Sequence, residues 1–202
     1  MDNTTPSTRP ANQADVRAAQ KQHITVRAAE PSEAAASSAL IGSDGVFEGT
    51  LQMPYAAVAS RVDRFSNMDP HSVQLVAVAR DADNSAEQIV GHAGLFTTST
   101  SPRRMHVRGL GIAVAAAWQG QGVGDQLMHA LLDWADNWAG VLRIELNVYT
   151  DNTGAIALYQ RHGFVQEGLL RAMALKGGVY ADSLAMARFH PHPPMLPAIY
   201  SA

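Results

Sequence analysis

Gly120, Gly122 and Gly124 stand at the junction of an apolar run ending at Val114 and a long amphipathic segment, Val123 to Asp136. Glycine is costly inside a helix or strand, so such a cluster serves a tight turn or a close approach of a ligand to the backbone. A strand–turn–helix junction meets both demands. The head of the helix offers unpaired N–H groups and about half a positive elementary charge, an anion site that needs no side chain. The apolar stripe expected on this helix is Val123, Leu127, Leu131, Ala135 and Trp138, with Asp125, His129, Asp133 and Asp136 facing elsewhere. Two phosphate motifs fail on spacing. G-x-G-x-x-G would need glycine where Asp125 stands, and a P-loop needs a lysine that is not nearby. Glycines that merely shape a turn remain an alternative here.

The flanking segments predict the rest. Ile24, Val26 and Ala28 alternate with polar neighbours as in a strand, and a helix is expected from Pro31 through Leu40, closed by Gly42 and Gly45. A second helix is expected from Pro54, with Val58, Val62 and Phe65 at helical spacing. Strands follow at Val73–Arg80, Gln88–Thr98 and Arg104–Val114, joined by loops of turn composition. After the glycine-led helix come a strand over VLRIELNVYT and a helix over TGAIALYQRH. Gly163 ends that helix in a left-handed cap, with Phe164 folding back onto it. Strands at Gln166–Leu175 and Val179–Arg188 close the series. This order predicts an α/β (α+β) fold: a mixed sheet flanked by about four helices. Residues 1–22 are expected to form a flexible leader, 23–188 one domain, and 189–202 a proline-rich tail in which His190 and His192 are solvent-exposed.

Composition removes several function classes. A formal charge of −3 argues against a nucleic-acid binder. The absence of cysteine excludes disulfides, thiolate metal sites and cysteine nucleophiles, and no His/Asp/Glu cluster has convincing metal-ligand spacing. No signal-like apolar stretch or bilayer-length run occurs, so a cytoplasmic location without membrane contact is expected. A homodimer is compatible with the sequence.

Gln119-Gly120-Gln121-Gly122-Val123-Gly124 matches the Q/R-x-x-G-x-G/A signature of the GNAT superfamily of acetyl-CoA-dependent N-acetyltransferases. Some thirty residues on, Asn152, Ala155, Tyr159, Gly163 and Phe164 match its second signature, N-x-x-A-x-x-x-Y-x-x-x-G-F. Over about Ile24 to Arg188, with GVFEGTLQMPY and GGVYADSLAMAR, the chain resembles the bacterial branch of L-amino-acid N-acetyltransferases.

The resemblance implies a splayed sheet whose cleft holds acetyl-CoA. The pantetheine arm would pair with Ile112, Ala113 and Val114, and the pyrophosphate would rest on the amides of Gln119, Gly120, Gln121, Gly122, Val123, Gly124 and Asp125. Many relatives carry Arg or Lys where this chain has Gln119 and Gln121. Arg103, Arg104 or Lys176 are candidate replacements for those cations, and cofactor binding should depend less on salt than in a relative with a basic loop. Asn152 would tie the second signature's helix to the cofactor, or cap that helix, or both. Tyr159 matches the tyrosine that protonates the departing thiolate, against the alternative of a core tyrosine on an amphipathic helix.

Acetyl transfer also needs a neutral amine, and reference values near ~8 for an α-amine and ~10.4 for lysine leave most of it protonated. The candidate bases are His92, Glu48 and Glu145, the last competing with ion pairing on its strand. The loop GVFEGTLQMPY, with Phe47, Leu51, Met53 and Tyr55, is the expected acceptor wall; Phe47, Glu48 and Tyr55 are the expected substrate-binding residues, and the apolar ones are equally able to plug the core. By resemblance, the acceptor is the α-amine of a free apolar amino acid such as phenylalanine or methionine. A protein or peptide amine, an antibiotic amine, and a non-catalytic acyl-CoA sensor are the competing readings.

Overall fold

The computed structural model describes residues 23–53, 55, 57–80 and 87–195. The expected leader, Pro54, the loop at 81–86 and the end of the tail lie outside the described residues.

Seven strands form one sheet: β1 His23–Ala28, β2 Val73–Arg80, β3 Glu87–Thr97, β4 Val107–Val114, β5 Arg143–Tyr149, β6 Val165–Lys176 and β7 Val179–Phe189. Their spatial order is β1-β2-β3-β4-β5-β7-β6, and every neighbouring pair is antiparallel except β4 with β5. Among the described residues, four α-helices accompany the sheet: α1 Ala34–Ile41, α2 Val58–Ser66, α3 Val123–Asn137 and α4 Thr153–Arg161. The mixed, helix-flanked sheet is thus the one the element order predicted.

Side chains alternate across each strand, and the two faces carry different clusters. Leu110 belongs to the main core with Val123, Leu127 and Leu131 of α3, and Gly91 lets α3 approach: a Cβ there would lie 2.8 Å from Leu127 Cδ1. Ala113 packs on the other face with Leu40, Ile41 and Val46.

Several expected boundaries move. The first helix is split, a 3-10 turn at Pro31–Glu33 preceding α1. Glu33 bonds the Glu30 N–H at 2.8 Å and the Arg27 guanidinium at 2.7 Å, which fixes that turn separately from the helix. The second helix starts at Val58 rather than Pro54, because Ala57 is extended and Tyr55 is left-handed (φ +58°). The residues from Arg104 first close a 3-10 turn at Pro102–Arg104, and β4 begins at Val107. Trp138 is not part of the α3 stripe: the helix ends at Asn137 and the indole is 79% exposed. His190 is half-buried rather than exposed, its Nε2 3.0 Å from the Asp136 carbonyl oxygen.

The C-terminal end of α4 follows its sequence closely. Gly163 takes φ +83°, its N–H donates to the Gln160 carbonyl, and the Phe164 N–H donates to that of Tyr159. The buried Phe164 ring then packs 5.8 Å from the Tyr159 ring. This is the left-handed cap with its apolar contact across the last turn.

Candidate functional site

The parallel pairing of β4 with β5 covers only Val107–Gly109 against Arg143–Glu145. Beyond it, β4 keeps its bonds to β3 as far as Val114, and β5 keeps its bonds to β7 as far as Tyr149. The strands therefore diverge with their inner edges unpaired toward each other. Backbone polar groups need partners, so these edges suit an extended ligand carrying amides of its own.

Two cavities occupy the opening. The larger, of about 570 Å³, is lined by Ile112–Val114, by Gln119, Gly120, Gly122, Gly124 and Asp125 at the head of α3, and by Asn152, Tyr159 and Arg161. The smaller, of about 290 Å³, is lined by Gln52, Phe65, Gln74, His92, Phe96, Asn147, Tyr149, Tyr159 and Ser183, among others. Tyr159, Asn147, Ile112, Ala113, Gly49 and Thr50 border both.

The head of α3 is open. Gly120 and Gly122 have φ of +71° and +83°, and a Cβ on either would meet nothing within 4 Å. Their left-handed backbone explains why glycine stands there, and the empty space in front lets an anion approach the amides. Val123 faces the core instead and can offer only its backbone. Gln119 donates to the Gly45 and Val114 carbonyls at 3.1 and 3.0 Å, and Gln121 to the Ala117 carbonyl at 2.6 Å. Both glutamine side chains thus hold the loop rather than project from it.

Of the cations expected to compensate, Arg104 pairs with Glu145 at 2.6 Å and Lys176 with Asp151 at 2.8 Å; neither of them, nor Arg103, lines the larger cavity. Arg161 does, and sequence reasoning missed it. Its guanidinium lies 3.1 Å from both Asp125 oxygens. Burial would raise the Asp125 carboxyl, but hydrogen bonds from His162 and Arg161 outweigh that and hold it below the usual range.

Asn152 caps α4, its side chain accepting from the Ala155 N–H at 3.1 Å, while also lining the larger cavity. Tyr159 is 7% exposed, and burial pushes its hydroxyl up to about 12. It therefore stays protonated at any physiological pH and is able to donate a proton.

The candidate bases separate. His92 is buried, lines the smaller cavity and lies 5.5 Å from the Phe65 ring. Glu145 is engaged by Arg104 and Arg143 at 2.6 and 3.2 Å. Glu48 accepts from the Gly45 N–H at 3.0 Å and lines neither cavity. Phe47 and Tyr55 are likewise absent from the linings, and Tyr55 is fully exposed. Of that loop's expected apolar residues Leu51 does line the cleft, beside Gly49, Thr50 and Gln52. Gly94 and Phe96, also unforeseen, share the His92 face of β3, which strand alternation would have revealed once that face was known.

Among the described residues, no group of three His, Cys, Asp or Glu side chains is placed to hold a metal, and no helix is long and apolar enough to cross a membrane.

The sequence pattern of the acetyltransferase (GNAT) family matches residues 47–164. The chain is 36% identical over 165 residues to the L-amino acid N-acetyltransferase AaaT of Escherichia coli (strain K12), covering 82% of this chain and 97% of that protein. Two solved structures share the fold at lower identity. A phosphinothricin acetyltransferase from Sinorhizobium meliloti, in complex with AcCoA, has a TM-score of 0.72 at 20% identity, over 85% of this chain and 93% of that one. A spermidine N-acetyltransferase from Vibrio cholerae, in complex with CoA and spermine, has a TM-score of 0.69 at 22% identity, over 83% and 95%. With a family match across more than half its length and a relative aligned over nearly all of that relative's sequence, the chain belongs to the acetyltransferase (GNAT) family and is an N-acetyltransferase.

Proposed function

We propose that this enzyme moves the acetyl group of acetyl-CoA to the α-amine of a free apolar L-amino acid, by direct attack in a ternary complex. The observation that carries the acceptor class is the lining of the smaller cavity, which contains no Asp, Glu, Lys or Arg among the described residues. Its polar side chains are the amides of Gln52, Gln74 and Asn147, the hydroxyls of Thr50, Tyr149, Tyr159 and Ser183, and the imidazole of His92. Such donors can hydrogen-bond one carboxylate, whereas each extra ammonium of a polyamine or aminoglycoside would be desolvated without a counter-charge. The same uncharged surroundings favour the neutral, nucleophilic form of the amine. Similarity to the E. coli L-amino acid N-acetyltransferase points the same way.

In this reading the pantetheine amides pair with the free edge of β4 at Ile112–Val114. The pyrophosphate rests on the backbone N–H groups between Gln119 and Asp125, and Arg161 supplies the cation that the two glutamines do not. Asn152 holds the start of α4, and hence Tyr159, against the cofactor. The amine nitrogen attacks the thioester carbonyl carbon, a C–N bond forms and the C–S bond breaks. Tyr159 gives its phenolic proton to the leaving sulfur. The proton released by the amine passes to His92 or to water, and solvent restores Tyr159. Glu48, bonded to the Gly45 N–H and outside both linings, has no part in this reading.

Thiol release tests it directly. The protein is mixed with acetyl-CoA and panels of L-amino acids, peptides, polyamines and aminoglycosides. Turnover with L-phenylalanine or L-methionine should exceed that with spermidine or an aminoglycoside by at least ~100-fold in kcat/KM, about 2.7 kcal/mol in transition-state stabilisation. Preference for a polycation would overturn the acceptor assignment. Absence of any binding heat with acetyl-CoA would overturn the donor assignment.

A further inference from the structure

On the face of the sheet beneath the smaller cavity, glycine stands at 94 on β3 and at 109 and 111 on β4. Phe96 stands opposite Gly109, and Gly94 opposite Gly111. A Cβ on Gly109 would lie 2.7 Å from Phe96 Cζ, while one on Gly111 would lie 3.9 Å from Phe96 Cε1. The phenyl ring therefore rests on backbone at Gly109 and extends over Gly111, which no larger residue at 109 would allow. It is 45% exposed even so, and it lines the cavity together with Gly111 and Phe65. Gln74 lies on Gly94 in the same manner, since a Cβ there would come within 2.5 Å of Gln74 Cδ. The ring thus presents an exposed aromatic face to a cavity whose lining holds no Asp, Glu, Lys or Arg among the described residues.

Resting on the amino-acid acceptor proposed above, we propose that Phe96 is the specificity-determining wall of the acceptor site. The acceptor's apolar side chain packs against the ring, and glycine at 109 and 111 keeps the ring flat enough to leave room for it. Phe96 takes no part in the proton transfers. It selects among amines by the side chain they carry. One methylene in a hydrophobic pocket already changes discrimination by about 10-fold or more, so loss of a whole ring is measurable.

The test uses the full chain with acetyl-CoA and three acceptors: L-phenylalanine, L-methionine and L-alanine, followed by thiol release. Phe96→Ala should raise KM for phenylalanine and methionine about 10-fold, with kcat and the KM for alanine within about twofold. Phe96→Leu, which keeps apolar surface, should hold KM for the two larger acceptors within about threefold. Gly111→Val, filling the floor beside the ring, should raise KM for phenylalanine more than for alanine. Circular dichroism and melting temperature establish that each variant is folded, and the half-exposed ring makes Phe96→Leu a safe second variant. An equal rise in KM for all three acceptors would overturn the inference, as would a fall in kcat alone. Should only some other class of amine turn over, the amino-acid assignment falls by itself, and the size dependence on Phe96 is then read with large and small members of that class.

Discussion

Replacing Tyr159 by phenylalanine removes one oxygen from the point where the two cavities meet. The structural cost should be small. The ring keeps its contact with Phe164, and burial is the one influence acting on the hydroxyl, so no hydrogen-bond partner among the described residues is orphaned. Removing a buried hydroxyl without orphaning a partner is close to neutral. The catalytic cost should be large. A positioned general acid contributes about 10²–10⁴-fold, or roughly 2.7–5.4 kcal/mol of barrier at 1.36 kcal/mol per tenfold. With the hydroxyl pushed up to about 12, only about one molecule in a thousand is ionised at pH 9. An ordinary tyrosine would be about one-tenth ionised there. The wild-type rate should therefore show no alkaline fall from Tyr159 below about pH 11, and the variant's deficit should be constant from pH 6.5 to 10. Steady-state thiol release gives kcat and KM across that range, and thermal melts report folding. A kcat within about threefold of wild type, with the melting temperature unchanged, would remove Tyr159 from the chemistry. A wild-type fall near pH 10 that the variant lacks would refute the burial argument.

Three other perturbations read different parts of the molecule. Gly122→Ala forces a Cβ onto a backbone of φ +83° in open space, so it should cost about 1–2 kcal/mol of stability through conformation alone and raise KM for acetyl-CoA; denaturant titration and initial rates measure the two separately. Arg188 joins β7 to α3 through bonds of 2.9 and 2.7 Å to Asp136, with the two side chains 10% and 15% exposed. Arg188→Met should destabilise by about 3 kcal/mol, because it leaves a largely buried carboxylate unpaired, and Asp136→Leu added to it should recover most of the loss in urea unfolding. Acid should unfold the protein through carboxylates whose folded values are depressed, Glu33 by the Arg27 hydrogen bond and Asp69 by that of Thr97. Their stabilisation is complete above the unfolded values near ~4 and is lost as pH falls through the lower folded values. Glu33→Gln should flatten the melting temperature profile below pH ~4, and an unchanged slope would exclude Glu33 from the transition.

Much of the candidate site was legible because its features are local. Gly120 and Gly122 had to be glycine for a left-handed turn, Asn152 caps the helix it begins, and Gly163 with Phe164 closes that helix within a single turn. Each is decided by residues a few positions apart, so a linear sequence exposes it. The substrate side was harder to see. Glu48 and Tyr55 carry suitable chemistry in a loop of the right place, yet the loop's geometry turns Glu48 onto Gly45 and leaves Tyr55 in solvent.

By itself, then, the sequence determined the order of strands and helices, the open head of α3, and the family chemistry attached to the two motifs. Tertiary structure decided which cations and carboxylates meet: Arg161 with Asp125 across 36 positions, Arg104 with Glu145 across 41, and Arg188 with Asp136 across 52. It also decided which face of β3 lines the cleft, and so placed Phe96 over Gly109 rather than among the core residues. The physical reason is that a turn or cap draws its energy from neighbours along the chain. Ion pairs and cavity walls draw theirs from strand register and helix packing, which only the folded sheet fixes.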